Sequence, residues 1–161
     1  MSVTRDITRA WARPRTVMAE HLARGAHEDR AFIFLFIACV LVFVAQLPRL
    51  SREAFLTGGD LMVLMGGTLM AWVFVAPLLL YGVAAVSHLI ARLVGGRGTW
   101  FGARLALFWS LLAASPAMLL HGLTAGFIGP SAALTLVGLI TVGGFGWIWL
   151  NSLIVAETAH A

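Results

Sequence analysis

The stretch LMVLMGGTLMAWVFVAPLLLYGVAAVS, residues 61–87, contains no charged residue over a length greater than a membrane crossing requires. About 20 apolar residues in an α-helix cross the hydrocarbon core of a bilayer. Two further charge-free runs occupy residues 31–47 and 105–156, and the glycine-rich stretch HGLTAGFIGP, residues 121–130, divides the longer one. Only 11% of the 161 residues are charged, against about 25% in a typical soluble domain. The chain is therefore predicted to be an integral membrane protein.

These runs predict an all-α fold, an integral membrane bundle of four transmembrane helices with a short N-terminal amphipathic helical segment. The spans are placed at about residues 31–47, 61–94, 103–123 and 131–155 within a membrane domain of residues 31–156. The first span is expected to end at Pro48, with the polar residues 47–60 as a connection. As one helix, the second span would be about 50 Å long, so it must tilt, kink at Pro77 or project from the bilayer.

Residues 1–30 are polar, and their apolar positions recur on roughly one helical face. Pro14 suits the first turn of a second short helix. We interpret this part of the chain as a cytoplasmic amphipathic lead at the membrane interface, with Trp11 at headgroup level. Residues 157–161 are interpreted as a short cytoplasmic tail.

The distribution of arginine predicts the orientation. With four spans, the N-terminus, the loop near residue 97 and the C-terminus lie on one side, which then holds nine of the eleven arginines. The opposite side holds only Arg49 and Arg52. The positive-inside rule therefore predicts a multi-pass protein of a bacterial inner membrane with both termini cytoplasmic. Orientation and anionic lipid headgroups explain the basic character, so no nucleic-acid partner is expected.

The segment GGRGTWFG, residues 95–102, has the glycine content of a phosphate-binding loop but lacks its context. A P-loop requires a lysine and a preceding strand, and this chain contains no lysine and predicts no strand here. We interpret the segment as a helix C-cap and turn, with Thr99 as N-cap of the third span. Arginines and interfacial aromatics around it form a possible contact for lipid or a partner: Arg92, Arg97, Trp100, Phe101 and Arg104.

The same segment, with a proline sixteen residues beyond it in the third span, resembles the Yip domain. The matching residues are Gly95, Gly96, Arg97, Gly98, Thr99, Trp100 and Pro116. This family of polytopic membrane proteins is named for eukaryotic members that interact with Rab-type GTPases, and it has many bacterial members. The resemblance implies a helical, usually non-enzymatic membrane protein with a cytoplasmic N-terminus. The family typically has five spans, whereas four are placed here.

Polar residues within the spans are few and do not form a catalytic set. Tyr81, His88 and Arg92 share one face of the second span, and His121 lies in the third. We interpret Tyr81, His88 and His121 as interhelical polar contacts, with Arg92 reaching toward the cytoplasm. The two histidines lie near opposite ends of the bundle, so they predict no shared metal or haem. No enzyme activity and no cofactor are expected.

Three functions are compatible with these features. The first is a small non-catalytic membrane protein that packs against anionic lipids and a membrane-protein partner or further copies of itself. The second is a carrier or channel for small solutes that uses the face of Tyr81, His88 and Arg92. The third is an accessory subunit of a larger respiratory or photosynthetic complex.

Overall fold

The computed structural model describes residues 3–158, and they form an all-helical bundle, as predicted. The helices are α1 (Val3–Ala12), α2 (Pro14–Ala23), α3 (Glu28–Thr57), α4 (Leu61–Met70), α5 (Ala76–Leu93), α6 (Trp100–Phe127) and α7 (Ala132–Thr158). A π-helical segment, Ala71–Val75, joins α4 to α5, so that Leu61–Leu93 is one continuous helix. Within the described residues there are four helices long and apolar enough to cross a membrane: α3, Leu61–Leu93, α6 and α7. This number agrees with the sequence prediction.

Helix α6 lies at the centre of the bundle. In the 18-residue apolar stretch of α6, 67% of the residues are buried. The corresponding fraction is 39% for α3, 17% for α7 and 6% for Leu61–Leu93. Helices α3 and α7 make its most extensive contacts, and α5 and α1 add smaller ones. Helix α6 contributes more residues to the core than any other helix, mostly from its first four turns, including Leu105, Phe108, Trp109 and Leu112. The other spans are arranged around this helix.

Helix α3 does not end at Pro48 but continues to Thr57, so most of the predicted connection of residues 47–60 is helical. Proline in a helix removes one backbone hydrogen bond and disturbs the preceding turn. Packing on α6 opposes this effect, because Leu50 is buried and Nη1 of Arg52 donates to the carbonyl oxygen of Gly126 at 3.3 Å. The helix ends instead at Gly58, whose φ of 67° is the left-handed conformation favoured at a helix C-terminus.

Close approach of α3 and α6 depends on glycine. A Cβ atom at Gly122 would lie 1.8 Å from the carbonyl oxygen of Ala45, and one at Gly126 would lie 2.4 Å from Cβ of Pro48. Any residue with a Cβ atom at either position would therefore collide with the backbone or proline ring of α3. Small residues allow helix backbones to approach in this way in membrane proteins.

The second span is a single irregular helix, as predicted, and its irregularity lies in the turn before Pro77. The π-helical segment ends at Val75, and the amide of Ala76 donates to the carbonyl oxygen of Ala71. A π-turn is one of the identifiable causes of a bend within a long helix. No residue of α4 or of the π-helical segment is buried. The half of this span nearer residue 61 therefore packs on α3 without burying any residue.

The N-terminal lead forms two helices, and the second begins at Pro14, as predicted. Helix α1 is strongly amphipathic, but the lead packs against the bundle instead of exposing its apolar face to lipid. Trp11, expected at headgroup level, donates from Nε1 to the carbonyl oxygen of Ala113 at 3.0 Å and contacts Gly144. Ala113 lies 13 residues beyond the start of α6, which is about 20 Å along the helix. Trp11 therefore lies between α6 and α7, and its level relative to the headgroups stays a prediction.

Ion pairs hold α1 and α2 together as a helical hairpin. Arg9 contacts Glu20 at 2.6 Å and Asp6 at 3.4 Å, and Asp6 also lies 3.9 Å from Arg24. Nε of Arg15 donates to Oδ1 of Asn151 in α7 at 2.8 Å. The hairpin is thus fixed both internally and to the fourth span.

Candidate functional site

The candidate site is the end of the bundle where the loop between α5 and α6 meets the last turn of α7. Gly95 has a φ of 96°, a conformation that side chains other than glycine rarely adopt. A Cβ atom at Gly98 would lie 2.3 Å from the carbonyl oxygen of Ala156, and one at Gly96 would lie 2.9 Å from that of Ala91. The glycines therefore let the loop turn and lie directly against α5 and α7.

All four backbone amides of residues 95–98 donate within the protein. Gly95 donates to the carbonyl oxygen of Arg92, Gly96 to that of Ala91 and Arg97 to that of Glu157. The amide of Gly98 donates to Oε2 of Glu157 at 3.2 Å. A phosphate cradle needs amides directed at the ligand. None of these four is available, and this geometry supports the interpretation of the segment as a cap and turn.

Thr99 ends the loop and begins α6. Its side chain accepts a hydrogen bond from the amide of Gly102 at 3.1 Å, as the N-cap prediction requires. This cap fixes the direction in which α6 leaves the loop, and hence the position of Trp100 on its first turn.

Glu157 is the buried charge at the centre of this end. Its side chain is 6% exposed, and Oε1 lies 2.6 Å from Nδ1 of His88, whose side chain is 1% exposed. With Glu157 ionised, Nδ1–H of His88 donates in this pair, because a carboxylate has no proton to give. The ring of Trp100 packs on that of His88 with a centroid distance of 4.5 Å. His88 therefore joins α5 to α7.

The sequence analysis assigned Glu157 to a tail and did not connect it with His88. In the structure Glu157 belongs to α7, and both of its carboxylate oxygens accept hydrogen bonds. The only sequence signal was an acidic residue directly following a charge-free span. A buried acid at that position needs a partner, and His88 was the histidine at the matching end of the second span.

The five residues predicted to contact lipid or a partner do not form one surface. Arg92, Arg97 and Trp100 are exposed, and no residue between 3 and 158 pairs with either guanidinium. Phe101 is buried in the core, so its expected interfacial position is wrong. Arg104 forms an ion pair with Glu28 at the start of α3. We call the remaining three residues, Arg92, Arg97 and Trp100, the basic rim.

Tyr81 and His121 are near other helices without hydrogen bonding. The ring of Tyr81 meets Phe108 of α6 edge-on, with centroids 5.0 Å apart. His121 is half-buried beside Gly138 of α7, where an added Cβ would lie 3.4 Å from Nε2. Within residues 3–158 neither side chain makes a hydrogen bond. Tyr81 and His88 therefore point to different helices, α6 and α7.

His21 in α2 is a second buried histidine, which the sequence analysis did not single out. Its ring packs on Trp109 and Phe34 at centroid distances of 4.3 Å and 5.5 Å, and neither ring nitrogen has a hydrogen-bond partner within residues 3–158. Burial, and to a smaller degree the nearby charge of Arg24, lower the pKa of His21 to about 4. The ring is therefore neutral at physiological pH and acts as part of the core.

Across residues 3–158 no three His, Cys, Asp or Glu side chains group together as metal ligands. The chain matches no protein-family model, and comparison with curated proteins and with solved structures gives no match either. The geometry of the basic rim and of the pair His88–Glu157 is thus the basis for a functional proposal.

Proposed function

We propose that the chain is a small non-catalytic protein of a bacterial inner membrane, a Yip-like protein whose basic rim contacts anionic lipid headgroups and a protein partner. In this proposal the loop of residues 95–98 and both termini face the cytoplasm. The arginine distribution supports this orientation, since the arginines of the lead and of this loop then lie on the side where positive residues accumulate.

The observation that carries the proposal is the state of Arg92 and Arg97. Both guanidiniums are exposed and unpaired among residues 3–158, whereas Arg104 is neutralised by Glu28. Each unpaired arginine near an anionic membrane surface contributes about 1 kcal/mol. Trp100, 44% exposed, lies beside them with the amphipathic character typical of headgroup depth. Because the loop amides are engaged, recognition here depends on side-chain charge.

The same contacts disfavour the carrier. A carrier would need Tyr81, His88 and Arg92 to line one polar cavity. Tyr81 instead packs on Phe108, His88 bonds to Glu157, and Arg92 lies exposed at the end of the helix. These side chains connect helices or lie outside the bundle.

Lipid enrichment tests the proposal. The protein, reconstituted in vesicles of phosphatidylcholine and phosphatidylglycerol and extracted in mild detergent, is expected to retain phosphatidylglycerol preferentially. Arg97→Gln and Arg92→Gln should each lower this preference about fivefold, the equivalent of about 1 kcal/mol, and added salt should lower it in the wild type.

Arg49→Gln is the matched control, because Arg49 is exposed at the opposite end but already paired with Glu53 at 3.2 Å. Unchanged enrichment in both rim variants would contradict the proposal. Saturable binding of ATP or GTP in equilibrium dialysis would contradict it as well. The native mass in the same detergent tests for the protein partner. A mass above that of the lipid-bound monomer is expected, and a protein that always migrates as the lipid-bound monomer would contradict this part of the proposal.

A further inference from the structure

A groove runs between α5 and α7 on the outside of the bundle. The two helices contact each other sparsely, because each packs mainly on α6. At the loop end the groove widens into a cavity of about 580 Å³, lined by residues that include Val94, Arg97, Leu153, Ile154 and Thr158. Below it lies a second cavity of about 370 Å³, lined by residues that include Gly82, Val83, Val86, Ile90 and Trp149.

The two cavities follow each other along the same pair of helices. Ile90 of the lower cavity precedes Ala91 of the upper one, and Trp149 is one helical turn from Leu153. Val86 and Ile90 are more than half exposed, so the groove opens outward, on the side where a membrane-spanning helix meets lipid. Each volume lies within the range of roughly 300–1,000 Å³ that is typical of small-ligand sites.

The chemistry of the groove changes along its length. Its upper end carries the guanidinium of Arg97 and the hydroxyl of Thr158, and its lower wall is apolar apart from Ser87. The Ser87 hydroxyl donates to the carbonyl oxygen of Ala84 at 2.8 Å and is therefore satisfied. Such a gradient matches an amphiphile with an anionic head and a hydrocarbon chain.

Glu157 also lines the upper cavity, and its charge would oppose an anionic head if it were free. Oε1 is bonded to His88 and Oε2 to the amide of Gly98. Both carboxylate oxygens are thus engaged by donors within the protein, whereas Arg97 has no partner among residues 3–158. Arg92 lies one turn before the loop and adds a second unpaired positive charge at the same end.

We propose that one anionic phospholipid occupies this groove, with its phosphate on Arg97 and an acyl chain between Gly82 and Trp149. This inference rests on the proposed function and deepens it, because it replaces a general attraction to headgroups with one defined site. The phosphate is bound by side-chain charge at the interface, and the chain fills apolar space that the protein leaves empty.

Gly82 allows the acyl-chain part to be tested without changing a charge. A Cβ atom at Gly82 would have no neighbour within 4 Å, so Gly82→Leu can add a side chain to the groove at an open position of the backbone. Gly66 is the matched control, since it lies in the same span, also has no neighbour within 4 Å and lies outside the groove. Gly66→Leu adds the same side chain to a surface without the site.

Native mass spectrometry in mild detergent measures the bound lipid directly. With added dioleoylphosphatidylglycerol, the wild type and Gly66→Leu are expected to hold one lipid tightly. Gly82→Leu and Arg97→Gln should each reduce that adduct at least about fivefold. Dioleoylphosphatidylcholine should bind more weakly, and sn-glycerol 3-phosphate, which has the phosphate without the chains, should neither bind nor compete.

The results separate this inference from the proposed function. If Gly82→Leu keeps the adduct while Arg97→Gln loses it, the groove site is overturned and the basic rim stands. If neither arginine variant changes lipid binding, the proposed function fails. Equal binding of phosphatidylcholine overturns the anionic class, and competition by glycerol phosphate identifies a soluble phosphate site instead.

Discussion

Replacing Glu157 by leucine leaves two donors without an acceptor, the buried Nδ1–H of His88 and the partly buried amide of Gly98. Interhelical hydrogen bonds in membrane proteins contribute about 0.6–1.7 kcal/mol, which applies to His88. An unsatisfied backbone donor costs about 1–3 kcal/mol when buried, and the partly buried amide of Gly98 falls in the lower half of this range. Glu157→Leu is therefore expected to lower the free energy of unfolding by about 2–4 kcal/mol.

Glu157→Gln should cost less than about 1 kcal/mol, because the amide oxygen accepts from Gly98 and the amide nitrogen donates to the other tautomer of His88. Reversible unfolding in mixed micelles of mild detergent and dodecyl sulfate, followed by circular dichroism, measures these differences. Glu53→Leu is the control, since Glu53 is exposed and its ion pair with Arg49 is worth at most about 1 kcal/mol. The reasoning is refuted if Glu157→Leu stays within about 0.5 kcal/mol of the wild type, or if glutamine destabilises as much as leucine.

Three further predictions address the packing, the lead and the orientation. Gly122→Leu should lower the free energy of unfolding by about 1–3 kcal/mol or more, because its side chain would overlap Ala45. Gly143→Leu is the control, since a Cβ atom there has no neighbour within 4 Å. Equal free energies of unfolding for the two variants would contradict the close approach of α3 and α6. The pKa of His21 is about 4 in the folded protein and about 6.5 in the unfolded chain. The contribution of the neutral ring to the free energy of unfolding is therefore complete above about pH 6.5 and falls by about 3 kcal/mol as the pH drops to about 4. In His21→Phe this decrease should disappear from the pH dependence of unfolding, and an unchanged slope would show that His21 is not its source. Reporter fusions after residues 58 and 126 should report the periplasm and those after 97 and 161 the cytoplasm, so a periplasmic signal at 161 would contradict the four-span orientation.

Local patterns in the sequence were sufficient to predict the number of long helices and some of the helix ends. Charge-free runs predicted four long apolar helices, and the residue types at Pro14 and Thr99 predicted where two helices begin. Each of these signals acts over a few residues, because a proline at the first turn or a hydroxyl at the N-cap affects only its own helix end.

Contacts between distant residues could not be predicted in the same way. Trp11 and Ala113 are separated by 102 positions, and His88 and Glu157 by 69. Nothing in the sequence near Trp11 distinguishes an indole that faces headgroups from one that enters the bundle. The continuation of α3 past Pro48 likewise depends on packing against Gly126, which a local rule for proline does not include.

The central position of α6 bears on how the chain enters a membrane. Among the four long helices α6 is the most buried and also has the lowest mean hydropathy. Partitioning into a bilayer depends on a segment's own hydrophobicity before its tertiary neighbours are in place. The helix on which the finished bundle depends most is thus the one least able to partition by itself. Its insertion relies on the two more hydrophobic helices made before it, and these must remain close enough to receive it.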